Sequence, residues 1–311
     1  MTEAAPPRHL SLLRGILRRL PRGQYGLLAL APDRGRFNAR LAPDAGAARF
    51  SCDLSDQIAK EAFFSGLYEP PVTRVVQRLA TPGATMVDVG ANWGYYTLVA
   101  AAAVGGEGRV IALEPDPRLF ARLEGNVRLN RFSHVTTAAA AASSREGTLT
   151  LAGYSDGDAN RGVSRVIEES SVSGPTFLVS ATTIDAVTAG CPRVDLVKID
   201  VEGAEDAVLA GMQDGLSSGR YRAVVLELHP GLLRARGVDP EACLRRLLDA
   251  GFVGWTIDGS PGIYRRAASP GIDLAALLKP LDAWQGTPWP HLLWQNSSND
   301  ESASIHSSAI V

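Results

Sequence analysis

The regular alternation of apolar runs and amphipathic stretches between residues 85 and 257 constrains the fold of this chain most strongly. Short apolar runs that predict β-strands occur at 85–89, 109–114, 135–139, 194–200, 222–228 and about 252–257. Between several of these runs, the spacing of apolar residues predicts helices at 94–104, 116–129, 203–213 and 239–250. Strands that alternate with helices form right-handed crossovers and build a parallel sheet covered on both faces. The pattern therefore predicts an α/β fold.

The composition excludes several classes of protein. The 311 residues include 31 basic and 33 acidic side chains, so the chain has no electrostatic footprint for nucleic acid. Cys52, Cys191 and Cys243 form no CxxC pair, which predicts neither a zinc site nor a disulfide framework and favours a cytoplasmic location. No run approaches the roughly 18 apolar residues of a transmembrane helix.

The segments that flank the alternating region have less regular patterns. Residues 8–20 predict a basic amphipathic helix, which either packs on its own domain or makes a weak contact with a membrane surface or a partner. Residues 25–65 predict short strands. The polar stretch 154–175 predicts a mobile loop, and the last sixteen residues, 296–311, predict a disordered tail.

The turn after the first predicted strand has the form Asp88-Val-Gly90-Ala-Asn92-Trp-Gly94. A strand, a glycine turn and a helix in this order often bind a nucleotide cofactor. The turn lacks the lysine and serine or threonine of a P-loop, and Asn92 replaces the middle glycine that a pyrophosphate needs. The form D-x-G-x-N-x-G is instead typical of S-adenosylmethionine turns, in which Asp88 can accept from the ammonium group of the cofactor. A structural turn with a capping acid is the alternative.

The second predicted strand ends at Glu114, 24 positions beyond Gly90. A carboxylate in this place can accept hydrogen bonds from both ribose hydroxyls, as the acid after the second strand does in dinucleotide folds. The joint spacing of Gly90 and Glu114 makes a purely structural turn the weaker interpretation.

A second group of polar residues follows the next two strands. Asp200 ends one buried strand, at the edge where open α/β sheets bind ligands, and Lys198 shares its face and needs a buried partner such as Asp200 or Glu227. Glu227 and His229 end the following strand on one face. A histidine that titrates near neutral pH suits removal of a proton from an acceptor hydroxyl. Asp200, Glu202 and Glu227 could instead hold a divalent cation such as Mg²⁺, and the sequence does not choose between base and metal.

Several blocks together resemble the FkbM-type S-adenosylmethionine-dependent methyltransferases. They are "YEP", "VDVGANWGYYTL", "GRVIALEPDP", "LEGNVRLN", "LVKIDVEGAEDAVLAGM" and "LELHP", and the resemblance covers roughly Tyr68 to Arg265. The resemblance implies a Rossmann-like class I methyltransferase fold with a seven-stranded sheet in the order 3-2-1-4-5-7-6, with strand 7 antiparallel. It also implies methylation of an oxygen, commonly on a natural product or a sugar.

The resemblance carries roles to individual positions of this chain. The residues implied for the cofactor are Tyr68, Glu69, Asp88, Gly90, Asn92, Gly94, Glu114 and Asp200. The residues implied to face the acceptor are Asp200, Glu202, Glu205 and His229, of which Asp200 and His229 are the expected catalytic pair. The third strand ends in alanines rather than in an acid, so the contact to the adenine amino group is assigned to backbone or to Ser143.

We therefore expect an S-adenosylmethionine-dependent O-methyltransferase that acts on a small molecule. Methylation of an amine or amide, and a non-catalytic cofactor-binding scaffold, are the alternatives. The expected organisation is an N-terminal extension over 1–67, a methyltransferase domain over 68–268, a Trp/Pro-rich segment over 269–295 and the tail. The Trp/Pro-rich segment is expected to form a lid over the acceptor or to pack against the sheet edge.

Overall fold

The computed structural model describes residues 5–18, 28–152, 165–167 and 176–297. Within these residues the strands are β1 Arg36–Arg40, β2 Arg49–Asp53, β3 Thr85–Val89, β4 Arg109–Leu113, β5 Val135–Ala138, β6 Ala140–Ala142, β7 Gly147–Ala152, β8 Arg165–Ile167, β9 Thr176–Thr182, β10 Leu196–Ile199, β11 Ala223–Glu227, β12 Phe252–Ile257, β13 Leu278–Pro280 and β14 His291–Asn296. The α-helices are α1 Arg8–Leu17, α2 Gln57–Ser65, α3 Pro70–Leu79, α4 Tyr95–Val104, α5 Pro117–Asn130, α6 Ile184–Val187, α7 Glu205–Ala210, α8 Gln213–Ser217, α9 Pro230–Ala235, α10 Pro240–Asp249 and α11 Pro261–Ala267.

The main sheet of the described residues has eight strands in the order β13-β12-β14-β11-β10-β3-β4-β5. When its six predicted strands and β14 are numbered along the chain, the order from β5 to β12 is 3-2-1-4-5-7-6, as expected. Strand β14 is antiparallel to both of its neighbours, β11 and β12. The expected count of seven is exceeded by β13, which extends the edge through antiparallel pairing with β12. The expected α/β fold with an antiparallel seventh strand is confirmed.

The Trp/Pro-rich segment contributes a strand to the interior of the sheet. Its end, His291–Asn296, forms β14 between β11 and β12, and Trp294 is fully buried. Trp284 is also buried, whereas Trp289 is 59% exposed. The whole segment was expected to be an addition to the domain, because its tryptophans and prolines obscure the strand pattern. Neither a lid nor packing at the sheet edge describes this strand.

The N-terminal segment packs on the same core as the main sheet. Helix α1 buries Leu10 and Leu17, leaves Leu12 and Ile16 exposed, and contacts α2. Packing of the amphipathic helix on its own domain is thus observed, while contact with a membrane surface stays a prediction. Short strands were expected over residues 25–65, and β1 and β2 are two such strands, paired as an antiparallel hairpin, but residues 57–65 form α2. Asp56 caps α2 by accepting from the Ala59 N–H.

A smaller sheet lies beside the main one, with strands in the order β6-β9-β7-β8. Strand β8 pairs with β7, so residues 165–167 are extended rather than part of an irregular loop. The other residues of the predicted mobile loop over 154–175 lie outside the described residues, as does the predicted tail beyond residue 297. None of the described helices has the length and apolar character needed to cross a membrane.

The position of β14 predicts unequal effects for two tryptophan substitutions. Trp294→Ala should lower the free energy of unfolding by about 3–5 kcal/mol, because it removes a fully buried ring from the middle of the sheet. Trp289→Ala should change it by less than about 1 kcal/mol, because that side chain is mostly solvated. Urea unfolding followed by circular dichroism would measure both. Equal losses would contradict the interior placement of β14.

Candidate functional site

The candidate site lies where the carboxyl ends of β3, β10 and β11 meet. Strands β3 and β10 are adjacent and parallel, and their helical connections leave on opposite sides, which creates the crevice where open α/β sheets bind ligands. The pairing register places Lys198 opposite Asp88. Asp200 follows β10 directly, and Glu227 ends the neighbouring strand β11.

The glycine turn is shaped by the loops around it. A Cβ at Gly90 would overlap the backbone carbonyl of Asp200, and a Cβ at Gly94 would collide with the side chain of Leu123. Gly90 and Gly94 are among the residues predicted to bind the cofactor, and packing within the protein already requires glycine at both positions. Asn92 has a φ of 54° and accepts from the Trp93 N–H through Oδ1, a conformation that asparagine tolerates well.

Glu114 fastens the glycine turn to the end of β4. Its two carboxyl oxygens accept from the backbone N–H groups of Asn92 and Asp116, each at 2.8 Å. Burial raises the pKa of Glu114 to about 8, although the two N–H donors oppose this shift. Each carboxyl oxygen can accept a further hydrogen bond, so the group also fits the ribose diol for which it was predicted.

Asp88 has one carboxyl oxygen that is buried without a hydrogen-bond partner, Oδ1, while Oδ2 accepts from Thr97 at 2.6 Å. Burial raises the pKa of Asp88, and the nearby Lys198 ammonium opposes the shift. A buried acceptor without a donor is costly unless a ligand or water completes it. The free oxygen of Asp88 and the spare acceptor capacity of Glu114 therefore fit the ammonium and the ribose of S-adenosylmethionine.

Lys198 is the buried lysine that the sequence predicted would need a partner. Its Nζ lies 2.9 Å from Asp200 Oδ2 and 4.6 Å from the centre of the Tyr96 ring. Burial opposes its charge, but Asp200, Asp88 and Glu227 together raise the pKa of Lys198 above its ordinary value. The expected pairing with Asp200 is observed, and the lysine carries its proton.

His229 lies at the start of α9 among three glutamates. Its Nδ1 is 2.7 Å from Glu205 Oε1, and its Nε2 is 3.2 Å from Glu202 Oε2 and 3.8 Å from Glu227 Oε1. Burial favours the neutral ring, but the bond to Glu205 and the charges of the three glutamates raise the pKa of His229 to about 9. The expectation of titration near neutral pH is not met, because the carboxylates hold the proton on the ring.

The carboxyl groups around His229 differ in their affinity for protons. Burial followed by the charge of Asp200 raises the pKa of Glu202 to about 7 and raises that of Glu227 as well. Burial acts in the same direction on Asp200, but Lys198 and His229 outweigh it and lower the pKa of Asp200. Glu202, with a pKa of about 7, is therefore well matched to exchange protons near neutral pH.

Tyr68 and Glu69 approach the same crevice from the start of α3. Glu69 accepts from the Tyr96 hydroxyl at 2.7 Å and has a φ of 41°, which is uncommon for a residue other than glycine. Burial and the charges of Glu69, Glu227 and Asp200 raise the pKa of Tyr68 well above its ordinary value.

His291 is a member of the site that the sequence analysis missed. It opens β14 opposite Glu227, and its Nε2 lies 3.3 Å from Glu227 Oε2 and 3.4 Å from Glu69 Oε2, although neither contact is a well-aligned hydrogen bond. Burial opposes its charge, but Glu69 and Glu227 raise the pKa of His291 well above its ordinary value. The signal was a histidine directly before the apolar run "LLW", which was not recognised as a strand.

Ser143 follows β6 and donates its backbone N–H to Thr182. It lines a surface cleft of about 1040 Å³ together with Arg145 and Ala204, the residue before Glu205. Its assignment to the adenine stays a prediction.

Two sets of side chains could each surround a metal ion among the described residues. They are Glu69 with Glu227 and His291, and Asp200 with Glu227 and His229, with ligand atoms within 4.8 Å of one another in each set. The expected trio of Asp200, Glu202 and Glu227 is not one of them. Both sets include an imidazole, whereas Mg²⁺ prefers oxygen ligands, so the described residues do not favour Mg²⁺.

The carboxylates around His229 predict a pH-dependent stability. Because Glu205, Glu202, Glu227 and Asp200 raise its pKa from the ordinary 6.5 to about 9, protonated His229 stabilises the folded state fully below pH 6.5. This contribution should disappear as the pH rises through 9. Urea unfolding between pH 6 and pH 9.5 should show a gap between the wild type and His229→Gln that narrows with pH.

A matched control for this prediction is His134→Gln, because the His134 imidazole lies beside the backbone carbonyl of Ala101. That variant should keep the wild-type pH dependence. Parallel curves for the wild type and His229→Gln would contradict the assignment of the proton to His229.

Known proteins that are similar in sequence to this chain include a methyltransferase and a much longer synthetase. The hexuronic acid methyltransferase AglP of Haloferax volcanii is 29% identical over 205 residues, which are 66% of this chain and 77% of that protein. The AMB antimetabolite synthetase AmbE of Pseudomonas aeruginosa is 30% identical over 183 residues, which are 48% of this chain and only 8% of that protein.

Among solved structures, a methyltransferase FkbM from Methylobacillus flagellatus KT aligns at 17% identity with a TM-score of 0.41, covering 82% of this chain and 56% of that one. The family described as the methyltransferase FkbM domain matches residues 88–253, just over half of the chain. This range contains the glycine turn, Glu114 and the group around His229, and the chain belongs to the FkbM methyltransferase family.

Proposed function

We propose that this protein transfers a methyl group from S-adenosylmethionine to a hydroxyl of a small molecule such as a sugar or a natural product. The observation that carries the proposal is the arrangement of Asp88 and Glu114 on either side of the glycine turn. Asp88 offers a buried oxygen without a hydrogen-bond partner. Glu114 holds the turn, and its carboxyl oxygens can still accept further hydrogen bonds. Family membership and the similarity to a hexuronic acid methyltransferase support the reaction and the sugar class.

In this proposal Asp88 holds the ammonium of the cofactor, Glu114 its ribose, and Tyr68 and Glu69 approach its methionine end. S-adenosylmethionine supplies a methyl group on a sulfonium, which is a strong electrophile. The protein therefore mainly has to align the acceptor and receive its proton.

The proton of the acceptor hydroxyl has three candidate receivers near Asp200. Asp200 itself is kept ionised by Lys198, which suits it to orient the hydroxyl as a hydrogen-bond acceptor. His229 already carries a proton at neutral pH, so we assign it to holding Glu202 and Glu205 in place rather than to acting as the base. Glu202 is partly exposed and has a pKa of about 7, and we propose it as the proton acceptor.

The cofactor assignment is tested by isothermal titration with S-adenosylhomocysteine. Asp88→Asn should weaken binding by roughly tenfold to a hundredfold, because it removes a charge-assisted hydrogen bond to the ammonium group. The control is Asp195→Asn, whose side chain accepts from the Thr85 N–H at the opposite end of the sheet and should bind as the wild type does. Equal affinity of all three proteins, or no binding by the wild type, would contradict the assignment.

The acceptor side is tested by turnover with radiolabelled S-adenosylmethionine and a panel of hydroxylated acceptors. Asp200→Asn, Glu202→Gln and His229→Ala should each reduce turnover by about a hundredfold or more, since the first two alter groups that orient or deprotonate the acceptor and the third removes the ring that holds Glu202 in place. Affinity for S-adenosylhomocysteine should change by less than about tenfold, because neither Asp88 nor Glu114 is altered. Full activity of Glu202→Gln would show that another group receives the proton.

A further inference from the structure

The crevice above Asp200 holds more acids than bases. Counted over the described residues, six carboxyl groups face only three basic side chains there. The acids are Glu69, Asp88, Asp200, Glu202, Glu205 and Glu227, and the bases are Lys198, His229 and His291. With every group in its ordinary charged form, the crevice therefore has an excess of negative charge.

The excess is concentrated on the accessible side of the crevice. The side chains of Asp200 and Glu202 are 26% and 27% exposed, and those of Glu69 and Glu227 are 17% and 14% exposed. In contrast, the side chains of Lys198 and His229 are only 3% and 2% exposed. A ligand that enters the crevice thus meets carboxylates first, while two of the three cations lie beneath them.

Bound cofactor would not remove this excess. S-adenosylmethionine has a sulfonium, an ammonium and one carboxylate, and so brings a single net positive charge. The proton affinities agree with a shortage of cations, since burial and the charge of Asp200 raise the pKa of both Glu202 and Glu227.

An exposed aromatic ring lies at the same edge of the sheet. Trp289 is two residues before His291, and the carbonyl of the intervening Pro290 accepts from the Leu228 N–H, directly after Glu227. Its indole is 59% exposed, whereas Trp284 and Trp294 are buried. The face of a tryptophan ring attracts cations, including ammonium groups.

We propose that the methyl acceptor carries an ammonium group near the hydroxyl that is methylated, and that Glu69, Glu227 and Trp289 bind this group. The proposal rests on the proposed function. The ammonium is bound and not methylated, because carboxylates keep it protonated and a protonated amine has no lone pair for the methyl group. Acidic acceptors such as a hexuronate are disfavoured by repulsion, so the acceptor class differs from the one in the name of AglP.

The test compares three sugars that differ in one substituent, namely D-glucosamine, D-glucose and D-glucuronate. Each is titrated into the full-length protein saturated with S-adenosylhomocysteine, and binding is followed by tryptophan fluorescence and ligand-observed NMR in the presence of EDTA. D-glucosamine should bind at least tenfold more tightly than D-glucose, and D-glucuronate should bind most weakly.

Two variants test whether Glu227 and Trp289 produce the preference for D-glucosamine. Glu227→Gln and Trp289→Ala should each reduce the preference for D-glucosamine over D-glucose to less than about threefold, while affinity for S-adenosylhomocysteine stays unchanged. The matched control is Glu241→Gln, whose side chain is 58% exposed on α10, and which should keep the full preference. Circular dichroism and thermal unfolding verify that each variant is folded.

Three results would overturn the proposal that the acceptor carries an ammonium group. They are equal binding of D-glucosamine and D-glucose, no binding of D-glucosamine, and binding of D-glucuronate that appears when Mg²⁺ or Zn²⁺ replaces EDTA. The last result would assign the carboxylates to a metal ion instead. Absence of S-adenosylhomocysteine binding contradicts the methyltransferase proposal itself, and is therefore distinct from failure of the acceptor class.

Discussion

The ammonium of Lys198 holds the candidate site together. It is buried at the boundary between β3 and β10, next to Asp200 and above the ring of Tyr96, and it is close enough to Asp88 and Glu227 to affect both. A buried charge is stable only when groups of opposite charge compensate it. The carboxylates at the ends of the three neighbouring strands depend on the Lys198 ammonium in the same way. Without this lysine, the ends of β3, β10 and β11 would carry mutually repelling acids at the centre of the fold.

Around this ammonium the charged groups form layers. Lys198 and His229 lie inside, the carboxylates of Asp200, Glu202 and Glu227 lie outside them, and His291 joins the outer layer from the antiparallel strand. Each acid is therefore held by a cation that is itself fixed in the core. Such an arrangement orients acceptor groups before a ligand arrives, which reduces the reorganisation that binding and reaction require.

The sequence predicted those parts of the site that follow parallel strands. Asp88, Glu114, Asp200 and His229 each come at the end of a buried apolar run, so local periodicity was enough to place them at one edge of the sheet. The strand order was also predictable once the family blocks had been identified.

The features of the site that were not predicted from the sequence depend on contacts between distant parts of the chain. His291 starts an antiparallel strand, so it reaches the site from the opposite chain direction and follows no strand end. The need for glycine at position 90 comes from the Asp200 carbonyl, 110 residues later. The raised pKa of His229 comes from glutamates on two separate segments, Glu202 and Glu205 after β10 and Glu227 at the end of β11. Pairwise electrostatics and close backbone contacts of this kind leave no local pattern.

Two of the carboxylates that face the crevice stand on unfavourable backbone. Glu69 has a φ of 41° and Glu202 a φ of 51°, in the left-handed region where a side chain other than glycine or asparagine costs about 1 kcal/mol or more. A screen that selects only for thermal resistance would thus reward glycine at these positions and erase the acids. Directed evolution of a sturdier variant should accordingly hold residues 69 and 202 constant, since robustness and ligand recognition make opposite demands on them.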